Sequence, residues 1–146
     1  MNIETLIIFA IACLSTVLFY IAQSNLRNLK QLKKQPAGSQ NELVSILIPA
    51  RNEYHNLRRC LNSLIKQDYA NLEILVLDDQ STDQTSKLVK NYQQKDKRIH
   101  LLQGKDLPDN WIGKHWACHQ LSESANGSII LFIDADTALD SSIVSK

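Results

Sequence analysis

Acidic side chains follow two of the most apolar segments of this sequence, at the point where each segment ends. Asp78 and Asp79 directly follow one apolar run, and Asp134 and Asp136 follow another. Two carboxylates one residue apart on an extended backbone lie on the same side of it. Such a pair repels unless a cation neutralises it, and Mg²⁺ or Mn²⁺ binds carboxylate oxygens together with substrate phosphates. The Asp134–Asp136 pair therefore predicts a divalent-cation site beside a diphosphate.

A single Asp at the end of a strand often only caps the next helix, and this explanation covers Asp83 well. It does not explain two carboxylates as close as Asp134 and Asp136. The usual glycine-rich phosphate sites are excluded, because neither G-x-G-x-x-G nor G-x-x-x-x-G-K-[ST] occurs. The glycines are Gly38, Gly104, Gly113 and Gly127.

Four short apolar runs predict the strands that position these acids, and their starts recur at intervals of roughly 30 residues, the length of a βαβ unit. Right-handed crossovers then give an α/β fold, with an open, mostly parallel, Rossmann-like sheet and helices on both faces. The runs are Leu43–Ile48, Leu72–Leu77, Ile99–Leu102 and Ser128–Ile133.

Helical patterns fill the gaps between these strands. A capping box at Ser81–Gln84 is expected to open the second helix, and Asn126-Gly127 is expected to end the third as a C-cap. The inner faces of the three helices are predicted from apolar spacing. They are Leu57, Leu61, Leu64 and Ile65 in the first, Leu88, Val89 and Tyr92 in the second, and Ala117, Leu121 and Ala125 in the third.

Ligands of open α/β sheets bind beyond the carboxyl ends of the strands. The segments that follow the strands should therefore gather around one crevice. These segments are Pro49–Glu53, Asp78–Ser81 and Asp134–Thr137.

The N-terminal segment predicts a membrane anchor. No charged residue occurs from Thr5 to Leu26, and roughly 20 apolar residues suffice to cross a bilayer. A cleaved signal peptide fits poorly, because Met1–Glu4 has no basic residue, and a buried soluble helix is a weaker alternative. Positive charge tends to stay cytoplasmic, so we expect a single-pass protein of the cell membrane with its N-terminus outside. The positive residues are Arg27, Lys30, Lys33 and Lys34.

The chain therefore divides into three parts: an anchor at 1–26, a basic juxtamembrane segment and linker at 27–42, and an α/β domain at 43–146. The net charge of +1 gives no reason to expect nucleic acid as a partner. The cysteines Cys13, Cys60 and Cys118 predict no disulfide framework. His115, Cys118 and His119 have helical metal-ligand spacing but no fourth ligand, so packing is favoured over zinc. Packing is likewise favoured over sugar stacking for the two tryptophans.

Three motifs, in this order and at this spacing, resemble the family 2 glycosyltransferases of GT-A fold, in their N-terminal half. They are the segments at 43–53 (LVSILIPARNE), 77–85 (LDDQSTDQT) and 132–137 (FIDADT). The segment at 107–118 (LPDNWIGKHWAC) further resembles the membrane-bound branch that glycosylates carotenoid or hopanoid lipids. The resemblance implies that 43–146 is a nucleotide-sugar-binding domain, incomplete at its C-terminus, which supplies the donor- and metal-binding half. It further implies inverting transfer of a hexose from a UDP-sugar to a lipid or other membrane-associated acceptor.

The resemblance also implies roles for individual residues. Asp79 would accept a hydrogen bond from the uracil imide N–H, and Lys114 would approach the phosphates. Asp134 would lie near the ribose and sugar and, with Asp136, bind the metal on the diphosphate. The base and ribose pocket would be lined by Pro49, Ala50, Arg51, Asn52 and Glu53.

Three other interpretations stay open. A haloacid-dehalogenase-like phosphatase also carries D-x-D after a strand, but here Thr137 stands one place early. A nucleotidyltransferase would need a basic, glycine-rich loop after the first strand, and Arg51 alone suggests one. The third is a non-catalytic or regulatory fragment, since the general base of the resembling family would lie beyond Lys146. On that ground we expect the chain alone to bind donor weakly and to transfer no sugar, and the fourth strand to expose an apolar edge.

Overall fold

The computed structural model describes residues 2–32 and 42–145, which form two units: an N-terminal helix and an α/β domain. Helix α1 spans Ile3–Leu32. Its segment Ile3–Arg27 is long and apolar enough to cross a membrane, as predicted from its length and composition. Residues 33–41 of the predicted juxtamembrane segment and linker, which include Lys33 and Lys34, lie outside the described residues, and so does the side chain of Lys30.

The domain is built on a four-stranded parallel sheet in the order β3-β2-β1-β4, which confirms the predicted α/β class. Each strand begins within a residue of its predicted start. The register places Ala50 opposite Asp78 and Leu47 opposite Phe132, so the carboxyl ends of three strands meet at one edge. The strands are β1 (Val44–Ala50), β2 (Leu72–Asp78), β3 (Ile99–Gln103) and β4 (Ile129–Phe132).

Three helices cover the two faces of the sheet: α2 (Tyr54–Leu64), α3 (Thr85–Gln93) and α4 (Gly113–Ser124). Side chains alternate along the central strands, so both faces of β1 and β2 must be apolar. Ile46 and Ile74 pack with α2 and α3 on one face, and Leu47 and Leu75 pack with α4 on the other.

The predicted beginning of α3 is wrong. No capping box forms at Ser81–Gln84, and the helix starts at Thr85 after Gln84, which makes no side-chain cap. Asp83 instead accepts hydrogen bonds from the Thr85 N–H (2.9 Å) and from the Tyr54 N–H at the start of α2 (3.2 Å). One carboxylate thus satisfies N–H groups of two helices. In α2, the predicted inner residue Ile65 lies just past the helix end and is exposed, whereas Cys60 is buried.

The predicted C-cap of α4 is also wrong. Ala125 is extended and Gly127 has no positive φ, so no left-handed cap forms. Gly127 is required for space instead: a Cβ there would lie 2.5 Å from the Leu43 carbonyl oxygen and from Ser45 Oγ. This close approach brings the Gly127 N–H within 2.8 Å of Ser45 Oγ.

Glu73 forms a buried polar network at the amino-terminal edge of the sheet. Its Oε1 accepts from Ser45 Oγ (2.5 Å) and from the Asn126 N–H (2.7 Å), and its Oε2 accepts from Asn126 Nδ2 (3.1 Å). Burial raises the pKa of Glu73, but these hydrogen bonds outweigh it and hold the pKa below its ordinary value. The charged carboxylate therefore joins the starts of β1 and β2 to the segment that leads into β4.

Strand β4 lies at the edge of the sheet and pairs with β1. Ile129, Ile130 and Phe132 are each 45–47% exposed. This confirms the predicted apolar edge, and it means that β4 gains little from burial within the described domain.

Gly127→Ala should destabilise the domain by about 1–3 kcal/mol, because the added methyl group meets backbone atoms that cannot move aside cheaply. Urea unfolding followed by tryptophan fluorescence measures this, since both tryptophans of the chain lie in the α/β domain. Gly113→Ala is the matched control, because its nearest neighbour would be Asp79 Oδ2 at 4.0 Å. Equal losses of stability in the two variants would contradict the steric explanation.

Candidate functional site

A cleft of about 420 Å³ opens where the carboxyl ends of β1, β2 and β4 meet the start of α4. It brings together the predicted site residues with the exception of Asn52, and it adds Gly113, Ala117 and Ala135. The lining residues are Pro49, Ala50, Arg51, Glu53, Asp79, Gly113, Lys114, Ala117, Asp134, Ala135 and Asp136.

Asn52 lies outside this lining and joins two loops. Its φ of 57° is in the left-handed region, which Asn tolerates better than most residues. Its Oδ1 accepts from the Thr82 N–H (2.8 Å), and its own N–H donates to Ser81 Oγ (2.9 Å). The loop after β1 is therefore fixed to the loop after β2, with Arg51 and Glu53 on the cleft side.

The adjacent acids Asp78 and Asp79 face different surroundings. Asp78 is buried, and its carboxylate accepts hydrogen bonds from the Ser81 N–H (2.9 Å) and from Ser86 Oγ. The Asp79 N–H donates to the Ala50 carbonyl (2.8 Å), and its side chain lines the cleft. Asp78 thus shapes the loop, whereas Asp79 is available to a ligand.

Two cations pair with two of the acids in the cleft. Lys114 Nζ lies 2.7 Å from Asp134 Oδ1, and the Arg51 guanidinium lies 3.7 Å from Asp79 Oδ2. The hydrogen bond to Asp134 raises the pKa of Lys114, so this amine stays charged. Both side chains of the Lys114–Asp134 pair are more than 60% exposed, and exposed pairs contribute little to stability. Such pairs can be exchanged for a ligand at small cost.

The backbone at the Asp134–Asp136 pair differs from the prediction. It is a turn, in which the Thr137 N–H donates to the Asp134 carbonyl (3.0 Å), and is not extended. The strand ends at Phe132, and Ala135 is buried in the core. Asp134 and Asp136 flank Ala135 on either side, and both side chains line the cleft. Within 2–32 and 42–145 no group of three His, Cys, Asp or Glu side chains converges. Two carboxylates suit a hard cation whose remaining ligands come from substrate or water.

Two side chains of helix α2 form hydrogen bonds with this turn and with the segment that follows it. The Arg59 guanidinium donates to the Asp136 carbonyl (2.8 Å), and Ser63 Oγ accepts from the Leu139 N–H (3.0 Å). No sequence pattern distinguishes Arg59, which is an ordinary polar residue of an amphipathic helix. Close by, burial and then the Asp136 carboxylate raise the pKa of Cys60 to about 12, so this thiol is unreactive.

Aromatic rings pack beside the start of α4. The ring centroids of Trp111, Trp116 and His119 lie 5.0–5.4 Å apart, and Trp116 Nε1 donates to the Lys105 carbonyl (3.2 Å). This packing supports the loop that leads to Gly113.

The sequence profile of glycosyl transferase family 2 matches residues 45–145. The chain belongs to this family. The membership leaves the phosphatase alternative without support. It is also consistent with the three motifs, each of which contributes residues to the cleft.

Curated relatives agree with this assignment. The chain is 32% identical over 116 residues to a 4,4'-diaponeurosporenoate glycosyltransferase of Staphylococcus haemolyticus, covering 80% of this chain and 30% of that protein. It is 32% identical over 106 residues to the protein of that name in Staphylococcus aureus, covering 73% and 27%. The chain thus spans about 30% of the length of these relatives.

Solved structures show the GT-A fold. S. aureus TarS (residues 1–349) matches with a TM-score of 0.59 and 31% identity, covering 68% of this chain and 29% of that one. The mannosyltransferase PcManGT of Pyrobaculum calidifontis, solved with GDP-Man and Mn²⁺, matches with a TM-score of 0.56 and 22% identity, covering 86% and 38%. The second likeness concerns the fold alone.

Arg59→Met should loosen the Asp134–Asp136 turn, because the Asp136 carbonyl loses its donor. A net hydrogen bond of about 1 kcal/mol predicts roughly fivefold faster hydrogen exchange of the backbone amides at 134–137. Mass spectrometry of the exchanged peptides measures this. Arg58→Met is the control, since Arg58 contacts Tyr54 on the same helix. Equal acceleration in both variants would exclude a specific role for Arg59.

Proposed function

We propose that the cleft binds a nucleoside diphosphate sugar, with UDP as the nucleotide. The full-length glycosyltransferase then transfers the sugar to a lipid or other membrane-associated acceptor. The observation that carries this proposal is the convergence of Asp79, Lys114, Asp134 and Asp136 on one cleft at the carboxyl ends of parallel strands. The cleft volume of about 420 Å³ is in the range of small-ligand sites.

Asp79 is the candidate for base recognition. An ionised carboxylate only accepts hydrogen bonds, and the imide N–H of uracil is a donor. Pro49 and Ala50 offer an apolar wall beside it, and the planar guanidinium of Arg51 can stack on a base. TarS has been solved with UDP-GlcNAc and with UDP, and the matches to these two structures have 31% and 29% identity. They support a uridine nucleotide as the ligand of this cleft.

The diphosphate is assigned to the opposite wall. Lys114 lies in the first turn of α4, where the helix dipole and the ammonium both favour an anion. Asp134 and Asp136 would hold Mg²⁺ or Mn²⁺, which would neutralise charge on the departing nucleoside diphosphate. Mn²⁺ is also present in the complex of PcManGT, a protein of the same fold.

The acceptor assignment depends on the membrane and on the relatives. The two curated relatives are named for diaponeurosporenoate, and α1 is apolar enough to cross a bilayer. A donor domain tethered to a membrane suits an acceptor that is dissolved in it.

We further propose that the N-terminus faces outward, with the domain in the cytoplasm, because Arg27 and the lysines after it follow the span. In a variant without Cys13 and Cys118, a cysteine introduced by Asn2→Cys should react with a membrane-impermeant thiol reagent on intact spheroplasts. The Ser124→Cys control, on the exposed end of α4, should react only after permeabilisation. The reverse pattern would exclude this orientation.

Calorimetry of the full chain in detergent, with UDP and Mn²⁺, tests the metal assignment. Asp136→Asn should weaken Mn²⁺-dependent UDP binding by about tenfold or more, because the cation loses a charged ligand. Asp109→Asn is the control, since it removes the same charge from an exposed turn that does not line the cleft. UDP binding of equal strength with and without Mn²⁺ would refute the metal role.

The same titrations test Asp79. Asp79→Asn should lower UDP affinity by about tenfold, the value of a hydrogen bond to a charged group. The preference for UDP over CDP should narrow, because the amide can donate to the cytosine ring nitrogen. Asp136→Asn should lower the affinities for UDP and CDP by the same factor. An unchanged UDP-to-CDP ratio in Asp79→Asn would show that Asp79 does not read the base.

A further inference from the structure

Lys114 is hydrogen-bonded to Asp134, one of the two carboxylates that the proposed cation needs. Lys114 Nζ donates to Asp134 Oδ1 at 2.7 Å, and among the described residues this is the hydrogen bond that the Asp134 carboxylate accepts. The Asp136 carboxylate accepts none from that part of the chain. The two acids therefore differ in the protein alone: one is neutralised by a lysine and the other is not.

An ammonium on Asp134 Oδ1 repels a divalent cation that binds the same carboxylate. Like charges a few ångströms apart oppose each other even in water, and more strongly where solvent is excluded. A cation that binds Asp134 and Asp136 therefore binds more tightly when Lys114 moves away from Asp134. Displacement is feasible, because the pair is exposed and the lysine stem is flexible.

The Arg98–Asp96 pair shows what a permanent ion pair looks like in this fold. Its side chains are only 27% and 17% exposed, and the guanidinium donates to both oxygens of Asp96 through Nε and Nη2. The Lys114–Asp134 pair has a single hydrogen bond and about 60% exposure on both sides. The Arg98–Asp96 pair is therefore the harder of the two to separate, and the Lys114–Asp134 pair is the easier.

We propose that Lys114 is an exchangeable counter-ion of Asp134, which leaves this carboxylate when a divalent cation binds and then contacts the diphosphate. The inference rests on the proposed donor site. Lys114 thereby links the two ligands. Without nucleotide it competes with the cation for Asp134, and once the cation is bound it strengthens binding of the nucleotide. Binding of cation and nucleotide is then cooperative, and the coupling is reciprocal.

Removal of Lys114 should therefore have opposite effects on the two ligands. In Lys114→Met, the full chain in detergent should bind Mn²⁺ alone about three- to fivefold more tightly, the range that an exposed ion pair allows. UDP at saturating Mn²⁺ should bind about tenfold more weakly, because a charged donor is lost. Electron paramagnetic resonance of free Mn²⁺ measures the first affinity, and calorimetry measures the second.

Two variants separate this exchange from general electrostatics. Lys114→Arg keeps the charge and should restore the weaker Mn²⁺ binding of the wild type. Arg51→Met removes a cleft cation of nearly equal exposure that pairs with Asp79, so its effect on Mn²⁺ affinity should be much smaller.

Tighter Mn²⁺ binding with weaker UDP binding, in Lys114→Met alone, supports the exchange. Unchanged or weaker Mn²⁺ binding in Lys114→Met overturns it, provided that the wild type binds Mn²⁺ and UDP together. An equal increase of Mn²⁺ affinity in Arg51→Met also overturns it, because loss of either cleft cation would then have the same effect. A wild-type chain that binds neither Mn²⁺ nor UDP overturns the proposed donor site and this inference together.

Discussion

The position of the cleft acids depends on a buried carboxylate at the opposite end of the sheet. Strand β4 is four residues long, pairs with β1, and exposes nearly half of three large apolar side chains. Of its four residues only Leu131 packs against the core, so burial contributes little to its register. Glu73 fixes it instead, because it accepts from Ser45 and Asn126 at the point where the chain enters β4. Without that network, the Asp134–Asp136 turn would lie at the end of a weakly held strand.

The charge state of Glu73 gives this network a pH dependence. Its hydrogen bonds hold its pKa below the ordinary value, despite burial. Its contribution to stability is therefore fully present above the unfolded pKa of about 4.3 and is lost as the pH falls through the lower folded value. At the other end of β4, Arg59 and Ser63 of α2 hold the turn and the segment after it. Both attachments come from elements that are distant in sequence, which makes the site a property of the whole domain.

The predictable part of this molecule follows from burial. The strands of a parallel sheet are covered on both faces, so apolar runs located them to within a few residues, and their carboxyl ends then located the cleft. The details that failed depend on distant partners. The C-cap was predicted from the Asn126-Gly127 dipeptide, but these residues bind Glu73 and Ser45 of two other strands. No local pattern can reveal a hydrogen-bond partner that lies tens of residues away, and the role of Arg59 was missed for this reason.

Acidic residues in this fold acquire their roles from their neighbours in space and not from their type. Asp78 and Asp79 are adjacent, yet the first is buried under the loop that it caps and the second lines the cleft, because successive side chains of a strand point to opposite sides. Asp134 and Asp136 face the same cleft for a different reason, since a turn around the buried Ala135 replaces the extended backbone. Their surroundings then separate them again, as Lys114 neutralises only Asp134. Two identical carboxylates thus offer a cation one bare ligand and one that must first be freed. In the proposed donor site, that asymmetry would let two protein carboxylates bind metal and nucleotide cooperatively.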